Sequence, residues 1–251
     1  MINKLQNSNN QNAHNSDSML IDRLKKITFL FLFILQLSST AVAQNNLPYV
    51  DDKLIHFGFT LGMNTMDFGV TQSNSNKYQV EVSDLQPGFS VGIISDLRLY
   101  RYLNLRVTPT LHFAERKLTY KNRLTGIETI NSIVSIPMCL PVHLKYSAER
   151  IGNYRPYLIG GGGAYIDLGR KKDAPVLLKP IDFYAEFGVG CDIYFSFFKL
   201  APELKFAIGL NDMFTPLDQR DSGDMSDENK EFSLALKKLT SRMLTLTFNF
   251  E

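Results

Sequence analysis

The sequence predicts an all-β protein, an eight-stranded antiparallel transmembrane outer-membrane β-barrel with short periplasmic turns and long extracellular loops. Three observations carry this expectation. Large apolar residues recur at every second position in eight separate stretches, the period of a strand with one apolar face. The connections between those stretches alternate between short and long, as in barrels that present turns to the periplasm and loops to the outside. The N-terminal segment reads as an export signal.

In chain order, Arg23, Lys25 and Lys26 precede the mostly apolar run Ile27–Leu35, and small residues follow up to Ala41-Val42-Ala43-Gln44. A basic region, a short apolar core and an A-x-A boundary make a secretory signal peptide over residues 19–43, cleaved between Ala43 and Gln44. The apolar core is too short to cross a hydrocarbon layer of about 30 Å. Residues 1–18 contain six Asn and are expected to be a non-native extension ahead of a start at Met19. Residues 44–53 form a periplasmic lead-in, and residues 54–251 the barrel. Removing residues 1–43 takes away four basic and two acidic residues, leaving 23 of each sign.

The first strand alternates Ile55, Phe57, Phe59, Leu61 and Met63 with His56, Gly58, Thr60, Gly62 and Asn64. The second sets Phe89, Val91, Ile93, Leu97 and Leu99 against Ser90, Gly92, Asp96 and Arg98, and the third Leu105, Val107, Leu111 and Phe113 against Arg106, Thr108, Thr110 and His112. In the fourth, Val134 to Leu144 alternate with Ser135, Cys139, His143 and Lys145. The fifth, Tyr157–Tyr165, contains Gly160–Gly163, which leaves its phase open. The sixth alternates Phe183, Phe187, Val189 and Ile193 with Tyr184, Glu186 and Asp192; the seventh Leu200, Leu204, Phe206 and Ile208 with Glu203 and Lys205; the eighth runs Leu244, Leu246, Phe248, Phe250. Short connections fall at Tyr100–Asn104, Ser147–Asn153 and Ser196–Phe198; long ones at Met66–Pro87, Lys121–Ile130, Gly169–Ile181 and Asn211–Lys238.

A soluble sandwich or lipocalin-like barrel shares period two. Three features favour the membrane. The polar face carries charges of both signs, which a soluble barrel would leave in water and a membrane barrel pairs in its lumen. The other face is bulky and apolar over a bilayer-spanning length. The chain ends on an amphipathic strand with Phe250 next to its terminus. A lumen ion-pair network is therefore expected from Asp96, Arg98, Arg106, Lys145, Glu186, Glu203 and Lys205. Inward glycines make room for the long charged side chains in a barrel of this size, which is packed shut.

No chemistry-bearing motif stands out. Charge is nearly balanced, 27 basic against 25 acidic residues, so no nucleic-acid partner is expected. His56 and His143 are expected near the periplasmic rim and His112 mid-strand, without a G-x-S-x-G or a paired Ser. Cys139 is expected inward and Cys191 outward, so they do not meet. Asp218, Asp221, Asp224, Asp227 and Glu228 lack calcium-loop spacing, Arg170, Lys171 and Lys172 make the third loop basic, and Gly160–Gly163 is no phosphate cradle because no helix follows. No metal, cofactor, small-molecule substrate or catalytic residue is expected; the lipid bilayer is.

Several fragments resemble the PorT/SprT family, outer-membrane components of type IX secretion and gliding. They are Leu47–Asp51, Ile55–Gly62 with Met66-Asp67-Phe68, Pro87–Ile94, Leu97-Arg98-Leu99, Asn153–Tyr157, Asp182–Glu186, Pro202–Phe206 and Leu239–Arg242. Together they cover essentially the whole mature chain. Cys139-Leu140-Pro141 departs from the continuous aliphatics of that family. The resemblance implies a non-enzymatic barrel required for exporting proteases and adhesins that carry C-terminal sorting domains, with other type IX proteins of the outer membrane or periplasm as partners. The rival expectations are a lipid-modifying enzyme on the same barrel and a structural barrel with no secretion role.

Overall fold

The computed structural model describes residues 46–73, 77–82, 86–169, 176–219 and 226–251, all within one compact unit, Asn45–Glu251. The expected extension, signal peptide and Ala43–Gln44 junction lie outside the described residues, as do Arg170, Lys171, Lys172, Asp221 and Asp224. No helix among the described residues is long and apolar enough to cross a membrane.

The described strands are β1 (Ile55–Gln72), β2 (Tyr78–Val82), β3 (Pro87–Tyr100), β4 (Leu103–Val107), β5 (Thr110–Asn122), β6 (Glu128–Ser135), β7 (Pro137–Ser147), β8 (Tyr154–Asp167), β9 (Ile181–Tyr194), β10 (Lys199–Gly209) and β11 (Leu236–Phe250), with one α-helix, α1 (Asp227–Leu234), and short 3-10 helices at Val50–Asp52 and Leu217–Gln219. Antiparallel pairing runs β1–β11–β10–β9–β8–β7–β4–β3, and β3 pairs back onto β1, so the sheet closes on itself. Closure removes the unpaired edge that hydrocarbon does not tolerate.

Eleven strands reduce to the eight expected wall units. β4 and β5 are one stave interrupted at Thr108-Pro109, and β6 and β7 another interrupted at Ile136-Pro137. A proline has no N–H to give the ladder and biases the residue before it. Its neighbours stay bonded across the break: the Ile93 amide donates to the Pro109 carbonyl at 3.1 Å and the Leu168 amide to that of Ile136 at 3.1 Å. β7 runs unbroken through Cys139-Leu140-Pro141, paired with β8 on one side and with β4 and β5 on the other. β2 is an addition, hydrogen-bonded to the far end of β5.

The phase of seven staves follows the sequence pattern, with Ile55, Phe57, Ile93, Leu144, Phe187 and Leu204 exposed on the outer wall. Inside, Arg106 and Lys145 are each 1% exposed and rank among the largest fully buried side chains. That is the reverse of a water-soluble protein, and it places oil outside the wall. In β8, Tyr157, Ile159, Tyr165 and Asp167 face inward, which settles its phase. The glycines there let two backbones approach: a Cβ at Gly161 would collide with the Val142 carbonyl oxygen, and one at Gly163 would stand 2.5 Å from that of Leu140.

Loop boundaries are corrected, since Tyr78–Val82, Lys121–Asn122 and Glu128–Ile130, expected in the first two long loops, are strand. Met66–Gln72 and Leu236–Lys238, expected in loops, are paired strand. Period two continues there, but the apolar face changes sides. Met66, Phe68, Leu118, Tyr120, Leu239 and Met243 point inward, while Lys117, Lys121, Lys238 and Arg242 alternate with them along the same strands. Towards the extracellular end the barrel is thus built like a soluble one, with its own apolar core. Val176, Leu178, Met213, Phe214 and Phe232 from the third and fourth loops and α1 fill that core. α1 begins at the N-cap Ser226, whose hydroxyl accepts from the Asn229 amide at 3.3 Å. Phe232 then packs against Tyr78 and Tyr120 at ring distances of 5.0 and 4.5 Å.

Candidate functional site

The periplasmic half of the lumen holds a chain of buried charges. Alternation along five staves points Asp96, Arg106, Lys145, Glu186, Asp192, Glu203 and Lys205 into one narrow space. Arg106 is its centre, 2.8 Å from Asp96, 3.3 Å from Glu203 and 2.7 Å from Glu251. Lys205 links Glu203 at 3.4 Å to Glu186 at 3.7 Å. Glu186 also lies 2.7 Å from the His143 ring. Lys145 pairs with Asp192 at 2.7 Å, and Lys199 with Glu251 at 2.7 Å. The Tyr157 hydroxyl donates to Glu203 at 2.8 Å, and Lys145 stands 4.0 Å from the centre of the Tyr157 ring. Asn104 donates to Asp96 at 2.5 Å. Each ion removed from water here is repaid by partners of opposite sign and by hydrogen bonds, the condition for burying charge at all.

Of the seven residues expected in the network, the structure brings together Asp96, Arg106, Glu186, Glu203 and Lys205, with Lys145 beside them across Tyr157. Arg98 stands apart and is corrected. It keeps the parity of Asp96 but lies two residues nearer the periplasmic mouth, at the last regular pair before the strand's register shift, where it donates to the Asp51 carbonyl at 2.7 Å and to the Asp52 carboxylate at 3.1 Å. His143 is corrected too: β7 continues to Ser147, which carries His143 into the lumen rather than leaving it at the rim. His112 lies mid-barrel, 3.4 Å from the Asn64 amide. Lys199 and Glu251 were not anticipated because they sit at strand ends, yet Thr247, Asn249 and Glu251 share one parity. Arg116, also on the polar face, joins no carboxylate here; it meets Ser135 and Tyr165 and lies 4.5 Å from the centre of the Phe68 ring.

Five acids, Asp96, Glu186, Asp192, Glu203 and Glu251, thus face four bases, Arg106, Lys145, Lys199 and Lys205, and the His143 ring. Among the described residues no group of three or more His, Cys, Asp or Glu could hold a metal ion. Cys139 faces inward and Cys191 outward, and neither forms a disulfide.

At the periplasmic mouth, residues 46–53 lie under the barrel as a strap. Asn46 is held by Asn153, whose side-chain oxygen accepts from its amide at 2.9 Å, and by the Tyr194 carbonyl at 3.0 Å. Beside the strap an open cleft of about 330 Å³ is lined by Asp52, Arg98, Arg101, Tyr102 and Glu149, among others. The Tyr102 hydroxyl donates to Glu149 at 2.7 Å, which raises its pKa above the usual phenol value.

Comparison with known proteins agrees with this architecture. The family model for the outer membrane protein beta-barrel domain matches residues 42–215. No curated protein matches. The chain is similar in structure to Neisserial surface protein A, at 11% identity and a TM-score of 0.42, over 78% of this chain and 98% of that one. It is similar to the outer membrane protein OprG of Pseudomonas aeruginosa at 10% identity and a TM-score of 0.43, over 78% and 92%. It is also similar to the outer membrane protein AlkL, solved in lipid bilayers, at 12% identity and a TM-score of 0.38, over 77% and 90%. With a closed wall whose apolar side faces outward, and a family match over most of its length, this chain belongs to the outer membrane protein beta-barrel domain family and resides in the bacterial outer membrane.

Proposed function

We propose that this barrel is a non-enzymatic component of protein export through type IX secretion, acting as an accessory or assembly factor for proteases and adhesins with C-terminal sorting domains. The observation that carries the reading is the filled lumen. Ion pairs occupy its periplasmic half, and apolar side chains from the loops occupy its extracellular half. A wall this tightly packed passes neither protein nor small solute, so its work falls to its rims and loops and to the proteins that touch them. The resemblance of Ile55–Gly62, Asp182–Glu186 and Pro202–Phe206 to the PorT/SprT family supplies the pathway. The three histidines of the described chain all line the inside of the wall, away from the lipid face where a lipid-modifying triad would work.

The test is deletion of the gene in its native host, followed by assay of surface and secreted proteases and adhesins. Loss of their export, restored by the wild-type gene, is the expected result. Normal export in the deletion strain overturns the reading and leaves a structural barrel. Single replacement of His56, His112 and His143 by Ala is expected to leave export intact wherever the barrel folds.

A further inference from the structure

We infer that the strap occupies a binding groove for a compact acidic turn segment of a periplasmic protein, with Asp51 of this chain as the resident ligand that such a segment displaces. The inference rests on the reading that the barrel works through protein partners, and it names the chemistry of one of them.

The groove is a built carboxylate site. The Tyr194 side chain, 1% exposed, donates its hydroxyl to Asp51 Oδ1 at 2.7 Å. Arg155 Nη1 lies 3.3 Å from the same oxygen, and Arg150 Nη1 lies 3.9 Å from Asp51 Oδ2. Both arginines are fixed by the wall rather than by the strap alone. Arg155 donates to the Ala148 and Arg101 carbonyls at 3.0 Å each, and the Arg150 guanidinium lies 3.7 Å from the centre of the Tyr194 ring. Two oriented guanidiniums and a phenol make a good receptor for one carboxylate.

The groove also reads backbone. Arg150 donates to the Asn46 carbonyl and, at 3.3 Å, to that of Leu47. Arg98 takes the Asp51 carbonyl at 2.7 Å, and the Arg98 amide donates to that of Leu54 at 2.9 Å. The strap that makes these bonds is a turn with a 3-10 segment at Val50–Asp52, so main-chain contacts surround one carboxylate presented on a tight turn.

Three features mark the occupant as replaceable. Its contacts are polar and reach water, the Asp51 side chain being 25% exposed. Leu47 sits at φ 49°, the one non-glycine residue at positive φ among the described residues, a conformation that a side chain with a Cβ disfavours. The cleft that flanks the strap gives a competing chain a place to enter, past Arg101 and Glu149, whose side chains are exposed.

The test uses the full mature chain in detergent and, as probe, a fluorescent synthetic peptide of this chain's own sequence Asn46–Leu54. The resident strap competes with the probe, so weakening it should expose the groove. Asp51→Asn in the barrel is expected to tighten probe binding roughly tenfold over wild type, because it removes a charge-assisted contact from the competitor only. A probe with Asn at the Asp51 position should bind Asp51→Asn barrels roughly tenfold more weakly than the Asp probe. Arg155→Met should weaken the Asp probe without changing the electrophoretic shift of the folded barrel. If Arg155→Met does not fold, the two Asp51 comparisons decide alone. Equal binding to wild type and Asp51→Asn, equal binding of the two probes, or no binding to any folded barrel overturns the inference and makes the strap a permanent plug. None of these outcomes bears on export by the deletion strain, so the two readings fail separately.

Discussion

Arg106 shows what a single buried charge does in this wall. It faces three carboxylates, Asp96, Glu203 and Glu251, so its loss leaves Asp96 without its ion-pair partner and takes one of two cations each from Glu203 and Glu251. Arg106→Ala should lower the free energy of unfolding from lipid vesicles by about 3–5 kcal/mol. Lys121→Ala removes the exposed pair with Glu128 and should change it by less than about 1 kcal/mol. Urea titration of both variants checks the contrast, and equal effects would mean the lumen is wet. Gly161 and Gly160 make a second contrast one residue apart. A Cβ at Gly161 meets the Val142 carbonyl, whereas one at Gly160 meets nothing within 4 Å. Gly161→Ala should cost about 1–3 kcal/mol and Gly160→Ala almost nothing, read by the same titration.

At the scale of the strand, the inversion of the apolar face decides what was legible. Within the bilayer zone each stave carries large residues outward and small or charged ones inward, and that alternation revealed all eight staves and the parity of seven, the glycine run Gly160–Gly163 hiding that of the fifth. Beyond Met63 in β1 and Phe113 in β5 the apolar residues lie inside. A reading tuned to an outward apolar face therefore stopped, and the strand tips passed for loops. The proline breaks at Pro109 and Pro137 were likewise invisible, because a stave bonded from both sides absorbs a missing N–H. The network was legible as a set of inward charges. Arg98 was misplaced because parity fixes the side of the wall but not the depth, and it lies at the mouth, while Lys199 and Glu251 were missed because strand ends offer no repeat to phase against.

Two predictions belong to this scale. Phe187 lies outward in the middle of β9, its ring 5.6 Å from that of Phe206. Phe187→Arg should destabilise the barrel in vesicles by about 2–4 kcal/mol, the cost of a cation near the midplane of a lipid-facing wall; a neutral effect would place that strand in water. Phe232 pins α1 over the extracellular core. Phe232→Ala should loosen α1 first, since local opening precedes global unfolding where an element is tied by few contacts. Limited proteolysis should then cut between Phe214 and Leu236 well before any strand, and unchanged resistance there would contradict the role given to α1.

As a whole, the molecule reads as two barrels sharing one wall. The lower is inside-out, with hydrocarbon around it and ions within; the upper has the polarity of a soluble protein and is filled by its own loops. The change of polarity along continuous strands marks where the membrane ends, without reference to any relative. The filled interior directs attention to the strap and the rims. The most direct check on this account is sedimentation of the refolded mature chain with and without detergent. The account predicts a folded monomer that needs a detergent belt around the outer wall and aggregates once the belt is removed. A compact, detergent-free monomer in plain buffer would put the apolar face inside and contradict it.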